Sequence, residues 1–287
     1  MTMAPRFGSW SSSCMLASWA FTLGGLLFIF YPEVARQVLF VGTNELSDLA
    51  VLQLRMIGIH NVALGGIFCI LARSKDAHLR WAQSVTMALT CIAEVAVYLH
   101  YGRGAISEAA IFVGITTIVV LKAPFFWHLS EAGLSAPAHA TGGTDPSPAY
   151  KWTKLLLSLF MFSGGVGFFF MKESMRTSFG DPAEFDAVAE FLWALNGVMM
   201  LLLIPGTYCL HAGVRDAHMR WQLAQTGVAA IAVFLFVHYG ISFGVLGWEG
   251  FPTNNANIKD WLPLDLFAAA LYVAPLFTEQ GGKAKGE

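Results

Sequence analysis

The chain has 287 residues, 56% hydrophobic and 13% charged, with a formal net charge of −2 and a mean hydropathy of +0.58. A soluble domain carries about 25% charged residues, so this composition excludes an ordinary water-soluble fold and points to the lipid bilayer. The balanced charge gives no reason to expect a nucleic-acid partner. Cys14, Cys69, Cys91 and Cys209 all lie in apolar stretches and form no CxxC pair, so neither a disulfide nor a zinc site is expected.

A membrane span needs about 20 mostly apolar residues. Eight segments qualify in chain order: 14–31, 50–72, 80–101, 107–128, 153–171, 188–211, 221–242 and 262–278. The first is expected to be retained, because only Arg6 precedes it and Tyr31-Pro32-Glu33 makes a poor signal-peptide cleavage site. The segment 133–149 is rich in Gly, Pro, Ser and Thr and reads as a flexible linker. The loop 243–261 is longer than the Gly102–Ser107 connection it corresponds to, and is a candidate lid.

The two halves repeat. Asp-Ala-His-Leu-Arg-Trp at 76–81 returns as Asp-Ala-His-Met-Arg-Trp at 216–221, an offset of 140 shared by Cys69 with Cys209 and by Gly24-Gly25 with Gly164-Gly165. His100-Tyr101-Gly102 returns as His238-Tyr239-Gly240, and Ala123-Pro124 as Ala274-Pro275. An even number of spans per copy gives both copies one orientation. The expected fold is an all-α integral membrane protein of eight transmembrane helices, built as two tandem four-helix repeats in parallel orientation. Residues 1–132 and 150–287 form the repeats.

The face holding both termini carries Arg6, Arg73, Lys75, Arg80, Lys122, Lys151, Lys154, Arg215, Arg220, Lys283 and Lys285, which are 11 of the 17 basic residues. By the positive-inside rule this face is expected to be cytosolic. In the duplicated Asp-Ala-His-x-Arg-Trp motif, Asp is expected to cap the helix, Arg to meet lipid phosphates and Trp to sit in the interfacial belt. A metal site from His78 and His218 is not favoured, and no cofactor is expected. The His-Tyr-Gly motifs read as helix stops and interfacial anchors.

Differences between the copies carry the functional information, because shared residues can serve the scaffold alone. Ionisable groups inside a bilayer are costly and mark function by default. Glu94 lies about two turns inside its helix, faced by Met87, Cys91, Tyr98 and Tyr101, with Ala232 at the matching position. A carboxyl in such a setting is a candidate proton donor. Asp265, flanked by Trp261 and Tyr272, stands opposite Gly114. Arg55, His60, Asn61 and Asn196 add polar groups in the same half of the membrane. Together Arg55, His60, Asn61, Glu94, His100, Asn196, His238 and Asp265 are expected to converge in one pocket open to the non-cytosolic leaflet, with Tyr98, Tyr101 and Trp261 in its walls. The cytosolic half is expected to hold few buried polar groups, which argues against a through-going path.

No glycine-rich phosphate loop, HExxH or DxxxD motif is present. What remains is a membrane pocket with protonatable carboxyls and a chain holding 23 Phe, 9 Trp and 7 Tyr. Aromatic faces stabilise cations, and an apolar site excludes the water that quenches them. Protonation of an epoxide or alkene, then carbocation cyclisation or a double-bond shift, suits these residues. A sterol or isoprenoid double-bond isomerase, a small-molecule transporter with parallel repeats and a membrane scaffold protein are the alternatives.

The size, the absence of soluble domains and the intramembrane Glu94 and Asp265 resemble the fungal membrane-bound terpene cyclases of meroterpenoid pathways, of the ascochlorin and ascofuranone type. The resemblance implies acid-triggered opening of a terminal epoxide on a farnesyl chain, without metal, with Glu94 and Asp265 in the acid roles and an endoplasmic-reticulum location. The internal duplication departs from the seven-helix layout of that family. The four-helix unit also looks like the sterol-isomerase-related and DoxX-like membrane bundles, which implies lipophilic ligands.

Overall fold

The structure is a computed structural model that describes residues 9–39, 46–133, 135–138, 143–170, 186–242, 244–245 and 256–280. Among these residues eight helices are long and apolar enough to cross a membrane. We number the helices α1 (Trp10–Phe30), α2 (Pro32–Leu39, too short to span), α3 (Asp48–Leu71), α4 (Ala77–His100), α5 (Glu108–Ala132), α6 (Pro148–Phe170), α7 (Ala187–His211), α8 (Ala217–Ser242) and α9 (Ala256–Gln280). The chain is an all-helical, multi-pass membrane protein. Helix starts are set by local chemistry: the side chains of Ser9, Ser47, Asp76, Ser107, Asp186 and Asp216 each accept a hydrogen bond from an otherwise unpaired first-turn N–H. The last helix begins six residues before the expected 262. Of the candidate lid 243–261, residues 243 and 246–255 lie outside the described residues, and 256–261 belong to the start of α9 rather than to a loop.

The exterior is apolar and the interior holds the charge, as a lipid solvent demands. Leu23, Phe112, Leu159, Phe162, Phe170 and Phe277 are exposed, whereas Gln53, Glu94, Lys122, Lys154, Asn196, His211, His238 and Asp265 are buried. With lipid outside, helix association depends on close packing of small residues and on hydrogen bonds between helices. A Cβ on Gly25 would lie 2.6 Å from the Gly58 carbonyl, so α1 and α3 touch backbone to backbone there.

Several contacts recur 140 residues apart. Ser18 Oγ donates to the Gly65 carbonyl at 2.7 Å, and Ser158 Oγ to the Pro205 carbonyl at 2.8 Å. The Arg80 guanidinium lies 5.8 Å over the Trp10 ring, and that of Arg220 lies 6.0 Å over Tyr150. Between the halves, Gly66 meets Thr226 and Gly206 meets Thr86. The match breaks in α7, where one more residue separates Gly197 from Cys209 than separates Gly58 from Cys69. A π-helical turn at Met199–Leu203 takes up the extra residue, just before Pro205, which has no N–H to donate.

The alternating spans put the start of α1 and the end of α9 on one side, the terminal face. Three expectations about charge are corrected here. Lys122 and Lys154, assigned by sequence to the terminal face, are buried in the bundle interior. Arg80 and Arg220 do not reach for lipid phosphates. Arg80 donates to the Ser74 carbonyl, and Arg220 donates to the carbonyls of Thr144, Val214 and Arg215. Each thereby satisfies backbone acceptors in the turn before its own helix, and Arg220 also ties that turn to Thr144 in the segment before α6. The half of the bundle toward the terminal face also holds more buried polar groups than expected, namely Gln83, Lys154 and His211.

Candidate functional site

Helices α3, α6, α7, α8 and α9 line a cavity of about 440 Å³ with mostly apolar and aromatic walls. This volume falls within the usual range for small-molecule sites. The cavity is elongated along the helices. Asp265 and Tyr272 both line it, and seven residues of helix separate them, a rise of about 10 Å.

The end away from the terminal face is acidic. Asp265, 8% exposed, accepts a hydrogen bond from the Tyr239 hydroxyl, Oη to Oδ2, at 2.5 Å. Trp261 and His238 line the same end. His238 stacks on Phe234 with ring centroids 5.0 Å apart. The His-Tyr-Gly motif of this copy does not stop its helix. It lies inside a second π-helical turn, Phe236–Ser242, and His238 is buried rather than interfacial. A π turn widens the helix and re-aims successive side chains. Here His238 faces the cavity and the next residue, Tyr239, reaches Asp265. His60 enters from α3 at mid-height, beside Asn196, and its Nδ1 is buried with no hydrogen-bond partner among the described residues. The Asn196 amide donates to Gln53 Oε1 at 3.1 Å.

The constellation expected from sequence is thus split. His60, His238, Trp261 and Asp265 meet in the cavity, and Asn196 supports His60 from behind. Glu94 is elsewhere. It is buried between α4 and α5, where Lys122 Nζ donates to its Oε2 at 2.6 Å. The environment is ionic, not the apolar setting that the sequence pattern of α4 suggested, because the cation arrives from a different helix. Tyr98 packs edge-on to Phe191, with centroids 4.9 Å apart, and presses on Gly114. His100 is exposed and Tyr101 half-buried beside it. Arg55 and Asn61 sit on α3 without lining the cavity.

Sequence reasoning passed over the other end of the cavity. Tyr208 and Tyr272 line it, their hydroxyl oxygens 2.5 Å apart. Behind Tyr208 lie Lys154 and His211. The signal was present at the 140-residue offset: Lys154, Tyr208 and His211 correspond in sequence to Cys14, Phe68 and Leu71. The same 140-residue offset also bears on the cavity's place. Ser163 and Gly167 line it, and the matching residues of α1 are the larger Leu23 and Leu27.

Chemically, the arrangement places one carboxyl with an orienting hydroxyl, two imidazoles and several aromatic rings around an elongated space with mostly apolar walls. Among the described residues no group of three or more His, Cys, Asp or Glu could hold a metal ion. Compared with known proteins, the chain matches no protein-family model, no curated protein and no solved structure.

Proposed function

We propose that this protein is an intramembrane enzyme that binds a lipophilic, prenylated substrate and starts a carbocation reaction by proton transfer from Asp265. The observation that carries this reading is the Asp265–Tyr239 pair at one end of an aromatic cavity within the membrane bundle. Tyr239 donates to one carboxyl oxygen, which leaves the other to carry the proton. Transfer of that proton to an epoxide oxygen breaks the C–O bond and forms an alcohol and a tertiary carbocation. A neighbouring double bond attacks the cation and closes a ring, and loss of a proton ends the sequence. The Tyr239 hydroxyl then stabilises the carboxylate left behind. Trp261, Phe234 and Phe168 offer ring faces to the travelling charge, and the apolar walls keep water from quenching it.

The same acid serves a double-bond shift in a sterol or isoprenoid equally well, and product analysis separates the two. The reading includes two parallel four-helix repeats, with the terminal face cytosolic and the protein in the endoplasmic reticulum. A transporter is less well supported, because the buried charges of the two halves do not correspond: Glu94 and Lys122 have Ala232 and Val273 opposite them.

The test is to incubate membranes holding the protein with farnesyl-phenols bearing a terminal epoxide and to analyse products by mass spectrometry and NMR. The expected result is an isomeric cyclised product that Asp265→Asn abolishes and Tyr239→Phe reduces at least tenfold, with expression unchanged. Turnover unaffected by Asp265→Asn would overturn the mechanism.

A further inference from the structure

The end of the cavity opposite Asp265 carries polar groups that the proton-transfer step does not use. Tyr208 on α7 and Tyr272 on α9 share one hydrogen bond between their hydroxyls. Two hydroxyls joined by one such bond keep a second O–H proton uncommitted to each other, and both rings line the cavity. Lys154 on α6 is 0% exposed, and its Nζ has no hydrogen-bond partner among the described residues. The ammonium lies 5.5 Å from the centres of both the Tyr150 and Tyr208 rings. His211 packs edge-on to Tyr208 at 5.9 Å, and neither of its buried ring nitrogens finds a partner among the described residues.

Scaffold needs do not account for these groups. The corresponding places in the first half hold Cys14, Phe68 and Leu71, so the same helix pair packs with nonionic residues there. Burying an ammonium without an anion is costly. The Lys154 ammonium, unpaired among the described residues, lies over a ring, Tyr208, that lines the cavity. A cation on the face of Tyr208 favours electron-rich oxygen at the Tyr208 hydroxyl.

The structure assigns the Tyr208–Tyr272 hydroxyl pair, positioned and polarised by Lys154, as the binding site for an acidic oxygen head group, a carboxylate or phenolate, on the ligand of this cavity. The ligand therefore lies with its head toward the terminal face and its reactive double bond or epoxide near Asp265, about 10 Å away along α9. This inference rests on the proposed function for the identity of the reacting end. The head-group site itself is read by binding alone.

The experiment measures equilibrium binding to the full-length protein in lipid nanodiscs, with two probes. One is a farnesyl-substituted hydroxybenzoic acid, and the other is farnesylbenzene, which has the same chain and no oxygen. The wild-type protein is expected to bind the acid at least tenfold more tightly than the hydrocarbon. Lys154→Met and the isosteric Tyr272→Phe should each reduce that preference at least fivefold while leaving hydrocarbon affinity unchanged. Asp265→Asn should keep the preference. If Lys154→Met does not fold, Tyr272→Phe and Lys154→Cys, the residue of the first half, carry the test. Equal binding of the two probes by wild type overturns the assignment, as does a preference that survives every one of these substitutions. Selective binding without turnover of any epoxide substrate would sink the proposed reaction and leave the head-group site standing.

Discussion

Replacing Glu94 by Gln tests whether this buried carboxyl belongs to the scaffold or to the chemistry. Glu94 and Lys122 meet at 2.6 Å with side chains 11% and 3% exposed, so neither charge has much access to lipid head groups or water. Removing one partner of a buried ion pair costs about 3–5 kcal/mol, because the other charge stays buried and uncompensated. Glu94→Gln should therefore lose about that much stability in reversible unfolding in mixed micelles. Replacing both partners by apolar residues of similar volume is commonly neutral or stabilising. The double variant Glu94→Leu/Lys122→Met should accordingly recover most of the loss and retain turnover. The second half already lives with Ala232 and Val273 at the matching places. Two results would refute this reasoning. One is a loss below about 1 kcal/mol in the single variant, the size of an exposed pair. The other is a double variant that is stable yet inactive, which would return Glu94 to the reaction as an acid.

Three further outcomes follow from the packing. Gly25→Ala places a Cβ 2.6 Å from the Gly58 carbonyl and 2.9 Å from the Val62 nitrogen, both backbone atoms that cannot rotate away. It should cost at least the roughly 1–3 kcal/mol typical of overpacking, whereas Gly24→Ala, with open space around it, should be near neutral in the same unfolding assay. Ser163→Leu combined with Gly167→Leu copies the residues of α1 onto α6. That variant should fold, as judged by size-exclusion profile and helical circular dichroism, yet lose ligand binding more than tenfold because the cavity is filled. Arg220→Met removes guanidinium bonds to the carbonyls of Thr144, Val214 and Arg215. It should increase proteolysis in the turn around Arg215 more than Arg215→Met does, since the Arg215 ion pair with Asp145 is largely exposed.

The spans were legible because a bilayer demands long apolar runs, and helix starts were legible because Asp76 and Asp216 cap through atoms close in sequence. The 140-residue sequence correspondence carried a further signal: the exchange of Cys14, Phe68 and Leu71 for Lys154, Tyr208 and His211 falls at the second end of the cavity. Helical spacing placed Trp261, Asp265 and Tyr272 on one face of α9, and all three line the cavity.

Partnership across helices was not legible. Glu94 and Lys122 lie 28 residues apart on neighbouring helices, and nothing in the pattern of either helix states that the two faces meet. The π turn Phe236–Ser242 is likewise a tertiary result, since it brings His238 and Tyr239, adjacent in sequence, onto the cavity and its acid together. Sequence by itself determined the solvent, the span count and the amphipathic faces, because these depend on hydrophobicity and on periods within one helix. Only the tertiary structure decided which buried acid found a cation and which kept a hydroxyl at the cavity wall, because a charge in a membrane interior is governed by whichever neighbour packing brings within a few ångströms.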